Sequence, residues 1–374
     1  MVDKCTVVKI PPTWGIKREP TRPPELRCDY FGGMTFNDNY DWHNLWYDAI
    51  YYQNTILLIG PPLNNLTSGF EKDKLTTLDG KVLTVTAHNA NRMSLAVVDA
   101  DAKEIKFESG ITITCNDVCN EFDNKICMFT LQKNNPISWI KQWIDYHVTL
   151  GIDSFLIYDN NSDLYNTEHL EESIKRPDVT VKIVEWNVPY GPQGIDCDHY
   201  DTWDSDYAQS SMFEHAKRRY LTNAKLIINS DIDELLVIDK PIESIIDDLV
   251  KENLHGYTYK GRWIEPYDIA NKISASDYSF ENRYFYNYYC TDSTNPRGIG
   301  DKWLMIPNKA ISCQWSVHIT NADMIQNNNI YYAHYLAMNT NWSYKRDRYD
   351  RNTKNLVVDI KLLHNLSKLR ISGV

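Results

Sequence analysis

The sequence predicts an α/β fold: a mixed, mostly parallel sheet flanked by helices, preceded by a β-rich amino-terminal region. Three observations carry that expectation. From Lys125 onward, short apolar runs alternate with stretches of helical period, and strand–helix alternation builds parallel sheets with right-handed crossovers. Over residues 81–115 the apolar runs are β-branched and split by Asn, Asp and Gly, as in consecutive short strands. At 374 residues, 43% hydrophobic and 24% charged, the chain has material for a sizeable core and for about two to three domains.

Residues 1–120 read as a β-rich domain or extension whose role the pattern does not give. Residues 1–62 are rich in Pro, Tyr and Trp, with a turn signal at Phe31-Gly32-Gly33, and residues 82–86, 94–98 and 111–114 are strands. Residues 121–374 form the second unit. Its first strand covers residues 126–131, after which Asn135 is placed as N-cap and Pro136 as the first helical residue. Ile137, Ile140, Ile144 and Val148 keep the helical period, and Gly151 ends it. Strands follow at residues 155–158, 179–186 and 226–228, with helices at 167–175, 204–220 and 241–254 and an extended stretch at 256–263.

Charge and motif inventory remove several classes of function. With 39 Lys and Arg against 50 Asp and Glu, the net charge is −11, the wrong sign for a broad nucleic-acid footprint. No apolar run approaches the roughly 18 residues of a membrane span, and the amino terminus lacks an apolar signal core. Both point to a cytoplasmic protein and leave peripheral membrane association open. The eight cysteines are scattered without a C-x-x-C pair, which reads as free thiols. The loop after the first strand, Gln132-Lys133-Asn134-Asn135, has no glycine for close cofactor approach, and neither a P-loop nor G-x-S-x-G occurs. Tyr (25) and Trp (11) together outnumber Phe (10) more than threefold; such amphipathic rings suit sugar or base stacking as well as interfaces.

Ligands of open α/β sheets bind at the carboxyl ends of strands, so the strand exits matter most. Two stand out: Tyr158-Asp159-Asn160-Asn161-Ser162-Asp163 and Asn229-Ser230-Asp231-Ile232-Asp233-Glu234. In the second, two carboxylates flank one apolar residue, a spacing that puts both side chains on one face where a strand ends. Like charges so close call for a cation between them, and oxygen ligands at a shallow site suit Mg²⁺ or Mn²⁺ shared with substrate phosphates. The competing reading is a solvated acidic turn.

Further pieces occur in order around that motif. Trp139, Trp143, Tyr146 and Gly151 precede Phe155-Leu156-Ile157-Tyr158-Asp159, and Tyr207-Ala208-Gln209 with Lys217 precedes Asp231-Ile232-Asp233-Glu234. Lys302-Trp303-Leu304-Met305-Ile306-Pro307 then leads to Val317-His318, and His334-Tyr335 to Lys345-Arg346. Over roughly residues 125–351 this order resembles glycosyltransferases of the GT-A fold, most of all glycosyltransferase family 92 and a family-2-like bacterial group. One departure is Asn135, which stands where an acidic residue is common.

The resemblance implies transfer of a sugar from a nucleotide-diphosphate donor, a UDP-sugar above all, to a hydroxyl of a glycan acceptor, with inversion. It implies a cation held by Asp233 with Asp231, completed by His334 or, second, His318. Lys302, Lys345 and Arg346 would hold the diphosphate, with Lys133 and His318 on the nucleotide sugar, and Asp159 would meet the ribose or base unless it only caps an Asx-turn. Glu265 and Asp301 are the candidates to take the acceptor proton, and Trp263 could stack on an acceptor sugar. Two other readings stay open: a nucleotidyltransferase, and a non-catalytic carbohydrate-binding protein with a degenerate transferase fold.

Overall fold

The computed structural model describes residues 2–24, 27–28, 36–90, 92–192, 195–196, 203–294, 299–340 and 353–371. In the amino-terminal region the short β-branched runs pair into two small sheets. After β1 (Asp3–Lys4), which joins the large sheet described below, the strands of these two sheets are β2 (Asp48–Tyr52), β3 (Thr55–Gly60), β4 (Leu75–Thr77), β5 (Thr84–Asn89), β6 (Ser94–Asp99), β7 (Glu104–Phe107), β8 (Thr112–Thr114) and β9 (Asn116–Asp117). One sheet runs β9-β2-β3-β6-β5 and the other β8-β7-β4. Tyr52 pairs with Thr55, so Gln53 and Asn54 alone make the β2–β3 turn. Both have positive φ, +47° and +61°, the backbone that a two-residue hairpin of this hand requires. Ile56, Leu58, Ala96 and Val98 face a core shared with Trp46, Phe70 and Phe107.

The strand–helix part comprises β10 (Ile126–Gln132), α1 (Ile137–Thr149), β11 (Ser154–Asp159), α2 (Thr167–Ile174), β12 (Thr180–Glu185), α3 (Tyr207–Ala216), β13 (Leu226–Asn229), β14 (Glu234–Val237), α4 (Ile242–Lys251), β15 (Gly256–Ile264), β16 (Lys302–Met305), β17 (Met324–Tyr335) and α5 (Ile360–Ile371). Its sheet has nine strands in the order β1-β12-β11-β10-β13-β16-β15-β17-β14. Neighbours from β1 to β13 are parallel, β16 is antiparallel to both of its neighbours, and β15 and β17 are parallel. The sheet is therefore mixed and mostly parallel, as the sequence predicts.

Both faces are covered, which explains why its central strands are apolar throughout. Met128, Phe155 and Ile157 face α1, α2, α4 and α5. Their alternates Phe129, Leu156 and Tyr158 face α3 together with Tyr40, Tyr47 and Phe122 from the first 122 residues. The two sequence units thus meet in one core, and β1 lies on the edge of the large sheet beside Val184 and Glu185.

Two helix ends differ from the sequence reading. Asn135 is not the cap of α1: Pro136 occupies that position with φ −51° and ψ 135°. Asn134 takes a left-handed φ of +56°, which turns Asn135 back so that its amide donates to Gln132 Oε1 at 3.3 Å. The longer helix expected at 204–220 begins at Tyr207 and widens after Ala216 into a π turn, Lys217–Leu221. Of the cysteines, Cys5, Cys115, Cys119, Cys127, Cys290 and Cys313 are unbridged. Among the described residues no helix is long and apolar enough to cross a membrane.

Candidate active site

A cleft of about 460 Å³ opens at the carboxyl ends of β10 and β13. Its floor is Leu131, Gln132 and Asn135 from the end of β10, and one wall is Gln209, Ser210 and Phe213 of α3. Asp231 and Asp233 enter from the turn between β13 and β14, and His318 and Asn339 close the far side.

The acidic turn is held by a buried ion network. Lys302, 1% exposed, places its Nζ 2.9 Å from Asp231 Oδ2 and 3.1 Å from Glu234 Oε2. The Asp231 N–H donates to Glu234 Oε2 at 2.9 Å, and the Glu234 N–H returns a bond to the Asp231 carbonyl at 3.1 Å. Burial raises the Glu234 pKa, against the pull of Lys302. Burial likewise opposes the charge on Lys302, but Asp231 and Glu234 outweigh it and hold that ammonium above the ordinary lysine range. Lys302 is thus shared between Asp231 and Glu234, and with Asp233 beside them the turn carries three acids against one lysine, a setting that favours a bound cation.

Asp233 turns the other way. Its Oδ2 lies 3.1 Å from His334 Nε2, because β17 pairs antiparallel with β14 and sets His334 opposite Glu234. Trp263 on β15 is in register with His334 and stacks on its ring, centroids 4.2 Å apart at 24°. A flat indole against an imidazole fixes the ring plane and leaves Nε2 toward Asp233. The two acids thus share the cleft but not one strand face: they sit in the turn itself, each with its own partner.

The donor set of carboxylate, carboxylate and imidazole suits Mn²⁺ or Mg²⁺. Asp233 and His334 are already adjacent, and an incomplete protein shell is what a cation shared with substrate phosphates requires. The described residues hold one tighter ligand-like cluster, Cys5, Asp48 and His215, but its atoms are engaged. Asp48 accepts from His215 Nε2 (2.7 Å), Arg219 Nη1 (3.1 Å), the Thr6 N–H (2.7 Å) and Asn116 Nδ2 (2.7 Å). His215 Nδ1 meets the Tyr158 hydroxyl at 2.8 Å. That cluster is a buried strut between the amino-terminal region and α3.

Other residues singled out in the sequence have different surroundings. Lys302 is enclosed by Asp231 and Glu234, so it orients the acids and does not reach into the cleft for a diphosphate. Asp159 is 3% exposed and bonded to Gln132 Nε2, to Ser162 Oγ at 2.6 Å and to the Ser162 N–H at 3.3 Å. Burial raises its pKa. It borders a separate groove with Ser162, Tyr165 and Glu185, and among the described residues its link to the main cleft is Gln132. Lys133 is half-buried and does not line the cleft. Glu265 is buried behind β15, its N–H bonded to the Cys290 carbonyl at 2.8 Å. Asp301 pairs with Lys260 at 2.6 Å, and its carbonyl lies 2.9 Å from His318 Nδ1. Trp263 has one face against His334. Lys345 and Arg346 lie outside the described residues.

Sequence reasoning missed Arg92, Asn339 and Tyr190, all of which line the cleft. Tyr190 donates its hydroxyl to Gln209 Oε1 at 3.3 Å. A signal for it existed in the next residue: Gly191 has φ +97°, and a Cβ there would come within 2.6 Å of the Tyr207 nitrogen. Only glycine lets the chain leave β12 so close to the start of α3.

The profile of glycosyltransferase family 92 matches residues 123–366, well over half of the chain. No curated protein matches the sequence. Solved structures similar to it include HddC from Yersinia pseudotuberculosis, at 9% identity over 56% of this chain and 92% of that one, with a TM-score of 0.31. UDP-glucose pyrophosphorylase complexed with UDP-glucose shares 11% identity over 50% and 79%, with a TM-score of 0.22. A protein described as a nucleotide-diphospho-sugar transferase from Desulfovibrio desulfuricans G20 shares 11% over 68% and 98%, with a TM-score of 0.27. Scores this low add nothing to the family match, which decides the matter alone. The chain belongs to glycosyltransferase family 92 and is a glycosyltransferase.

Proposed function

We propose that this glycosyltransferase moves a sugar from a nucleoside-diphosphate donor, a UDP-sugar first, to a hydroxyl of a glycan acceptor, with inversion and with Mn²⁺ or Mg²⁺. One observation carries the reading: Asp231 and Asp233 both face the cleft, and His334 is fixed against Asp233 by the Trp263 stack. A cation held by Asp233 and His334, with Asp231 beside it, supplies positive charge where the departing diphosphate becomes more negative.

The chain's own groups do the rest. Lys302 and Glu234 hold Asp231 in one orientation, so no reorganisation is needed as charge develops. Gln209 would offer its amide, and Tyr190 its ring, to the base and ribose, above a floor of Gln132 and Asn135 that are bonded to each other. Of the two carboxylates considered for the acceptor proton, Asp301 is the better placed. Its backbone touches His318 at the cleft, whereas Glu265 is buried. Asp301 would leave Lys260 to accept that proton at a carboxylate oxygen.

A thermal-shift series with UDP- and GDP-sugars, with and without Mn²⁺, tests the reading. The expected result is a rise in Tm that needs both the nucleotide sugar and the cation, and that vanishes in Asp233→Ala. A Tm unmoved by every nucleotide sugar in the presence of Mn²⁺ would overturn it. A shift accompanied by no turnover of any donor would favour the non-catalytic alternative.

A further inference from the structure

The amino-terminal sheets have no assigned role, yet one of their hairpins enters the cleft. β5 and β6 pair from Thr84 opposite Asp99 to Asn89 opposite Ser94, and the Ala90 N–H donates to the Met93 carbonyl at 2.9 Å across the tip. The base of that tip is fixed, because Asn89 Oδ1 accepts from Ser94 Oγ at 2.5 Å and from the Leu63 N–H at 2.9 Å. Arg92, at the tip, lines the same cleft as Asp231 and Asp233. Its Nη1 lies 3.5 Å from Asp206 Oδ2, at the start of α3.

The same region braces the cleft wall behind Asp206. Asp204, fully buried, accepts from the Thr21 N–H at 2.5 Å, the Thr21 hydroxyl at 2.7 Å and Asn64 Nδ2 at 3.1 Å. Ser211 of α3 donates to the Gly60 carbonyl at 3.1 Å. The strand end beside the tip and the wall behind Asp206 are thus both hydrogen-bonded to the amino-terminal region.

The charges in the cleft say what it would hold. Three carboxylates line it, Asp206, Asp231 and Asp233, and among the described lining residues Arg92 is the sole lysine or arginine. A nucleoside diphosphate brings further negative charge that one divalent ion does not balance along with those acids. Ion-pair contacts of full strength lie near 2.7–2.9 Å, and the 3.5 Å contact with Asp206 is longer than that. A guanidinium can give two parallel N–H bonds to a phosphate while staying beside a carboxylate.

We infer that Arg92, supplied by the amino-terminal β region, binds a phosphate oxygen of the nucleoside diphosphate in the cleft while its guanidinium stays beside Asp206. This rests on the donor reading given under Proposed function. The amino-terminal sheets are then part of the substrate site.

Calorimetric titration of the full chain with UDP, GDP and ADP, each with Mn²⁺, and with uridine, tests it. For the diphosphate that binds best, Arg92→Ala is expected to raise Kd about tenfold, the scale of one hydrogen bond to a charged group. Arg92→Lys recovers part of the loss, the salt dependence weakens in Arg92→Ala, and Tm in the absence of ligand stays put. Uridine, which has no phosphate, should bind both variants and the parent equally. Equal diphosphate affinity in Arg92→Ala and the parent overturns the inference and leaves the transferase reading standing. A parent chain that binds none of the three diphosphates overturns both.

Discussion

At the scale of single residues, the site rests on two pairs, Asp233 with His334 and Asp231 with Lys302. His334→Ala removes the imidazole beside Asp233, which is both the proposed cation ligand and the ring that Trp263 packs on. It is expected to weaken Mn²⁺ binding in the presence of UDP by about tenfold or more, the scale of losing one metal ligand or a group that orients one. Calorimetry that gives both proteins the same Mn²⁺ affinity would take His334 out of the site. Asp301→Asn should lower kcat by about 10²–10⁴ with donor KM little changed, the range for loss of a general base, while Glu265→Gln keeps kcat within a fewfold. The reverse pattern would move the base to Glu265. The acids were legible in the sequence because residue type and strand-exit position together are informative. The work of Lys302 was not, since its partner Asp231 is 71 positions away and nothing local distinguishes an ammonium that orients an acid from one that grips a phosphate. Trp263 was similarly opaque: a ring at that position suits a sugar face until β15 and β17 are seen to align it with His334.

At the scale of elements, α1 determines where the acidic turn can sit. β14 is an edge strand, bonded to β17 on one side only. Its other side is met by side chains of α1: Trp143 Nε1 donates to the Glu234 carbonyl at 3.0 Å, and the Tyr146 hydroxyl to the Leu236 carbonyl at 2.8 Å. His147 Nε2 accepts from the Leu236 N–H at 3.1 Å, while its Nδ1–H faces the Trp143 carbonyl at 2.8 Å. Both roles require a neutral ring, and burial pushes the His147 pKa down to about 3. A folded pKa below the unfolded value of about 6.5 means a stabilising contribution fully present above pH 6.5. It is lost as pH falls toward 3, with a slope approaching 1.4 kcal/mol per pH unit. Urea unfolding at pH 7 and pH 5 should show a larger drop for the parent than for His147→Gln, and equal drops would refute the assignment. Trp143→Ala should cost about 3–5 kcal/mol and disturb the acidic turn as well. The period of α1 and its Gly151 stop, φ +93°, were readable from spacing. Its first residue was not, because the left-handed turn at Asn134 shifts the cap by one position, and helix ends depend on such single dihedrals.

At the scale of the whole molecule, the division near residue 120 is visible in composition but hides how the parts join. Apolar patterning reports that residues 81–115 are strands; it does not report that Tyr40, Tyr47 and Phe122 pack on α3 or that β1 pairs with β12. Those contacts are long-range, and their residues look like ordinary loop aromatics. The buried Asp48, bonded to His215 and Arg219, makes the junction costly to break, since removing one partner of a buried ion pair costs about 3–5 kcal/mol. A chain of residues 121–374 alone should therefore lose cooperative thermal unfolding and bind the dye ANS, whereas a sharp transition with parent-like Tm would show the second unit to be independent. The most direct test of the account is electron paramagnetic resonance of Mn²⁺ titrated into the full chain with saturating UDP. One Mn²⁺ bound per chain, abolished by Asp233→Ala with the fold intact, is the predicted result. Equal Mn²⁺ occupancy in that variant, or none in the parent, would contradict it.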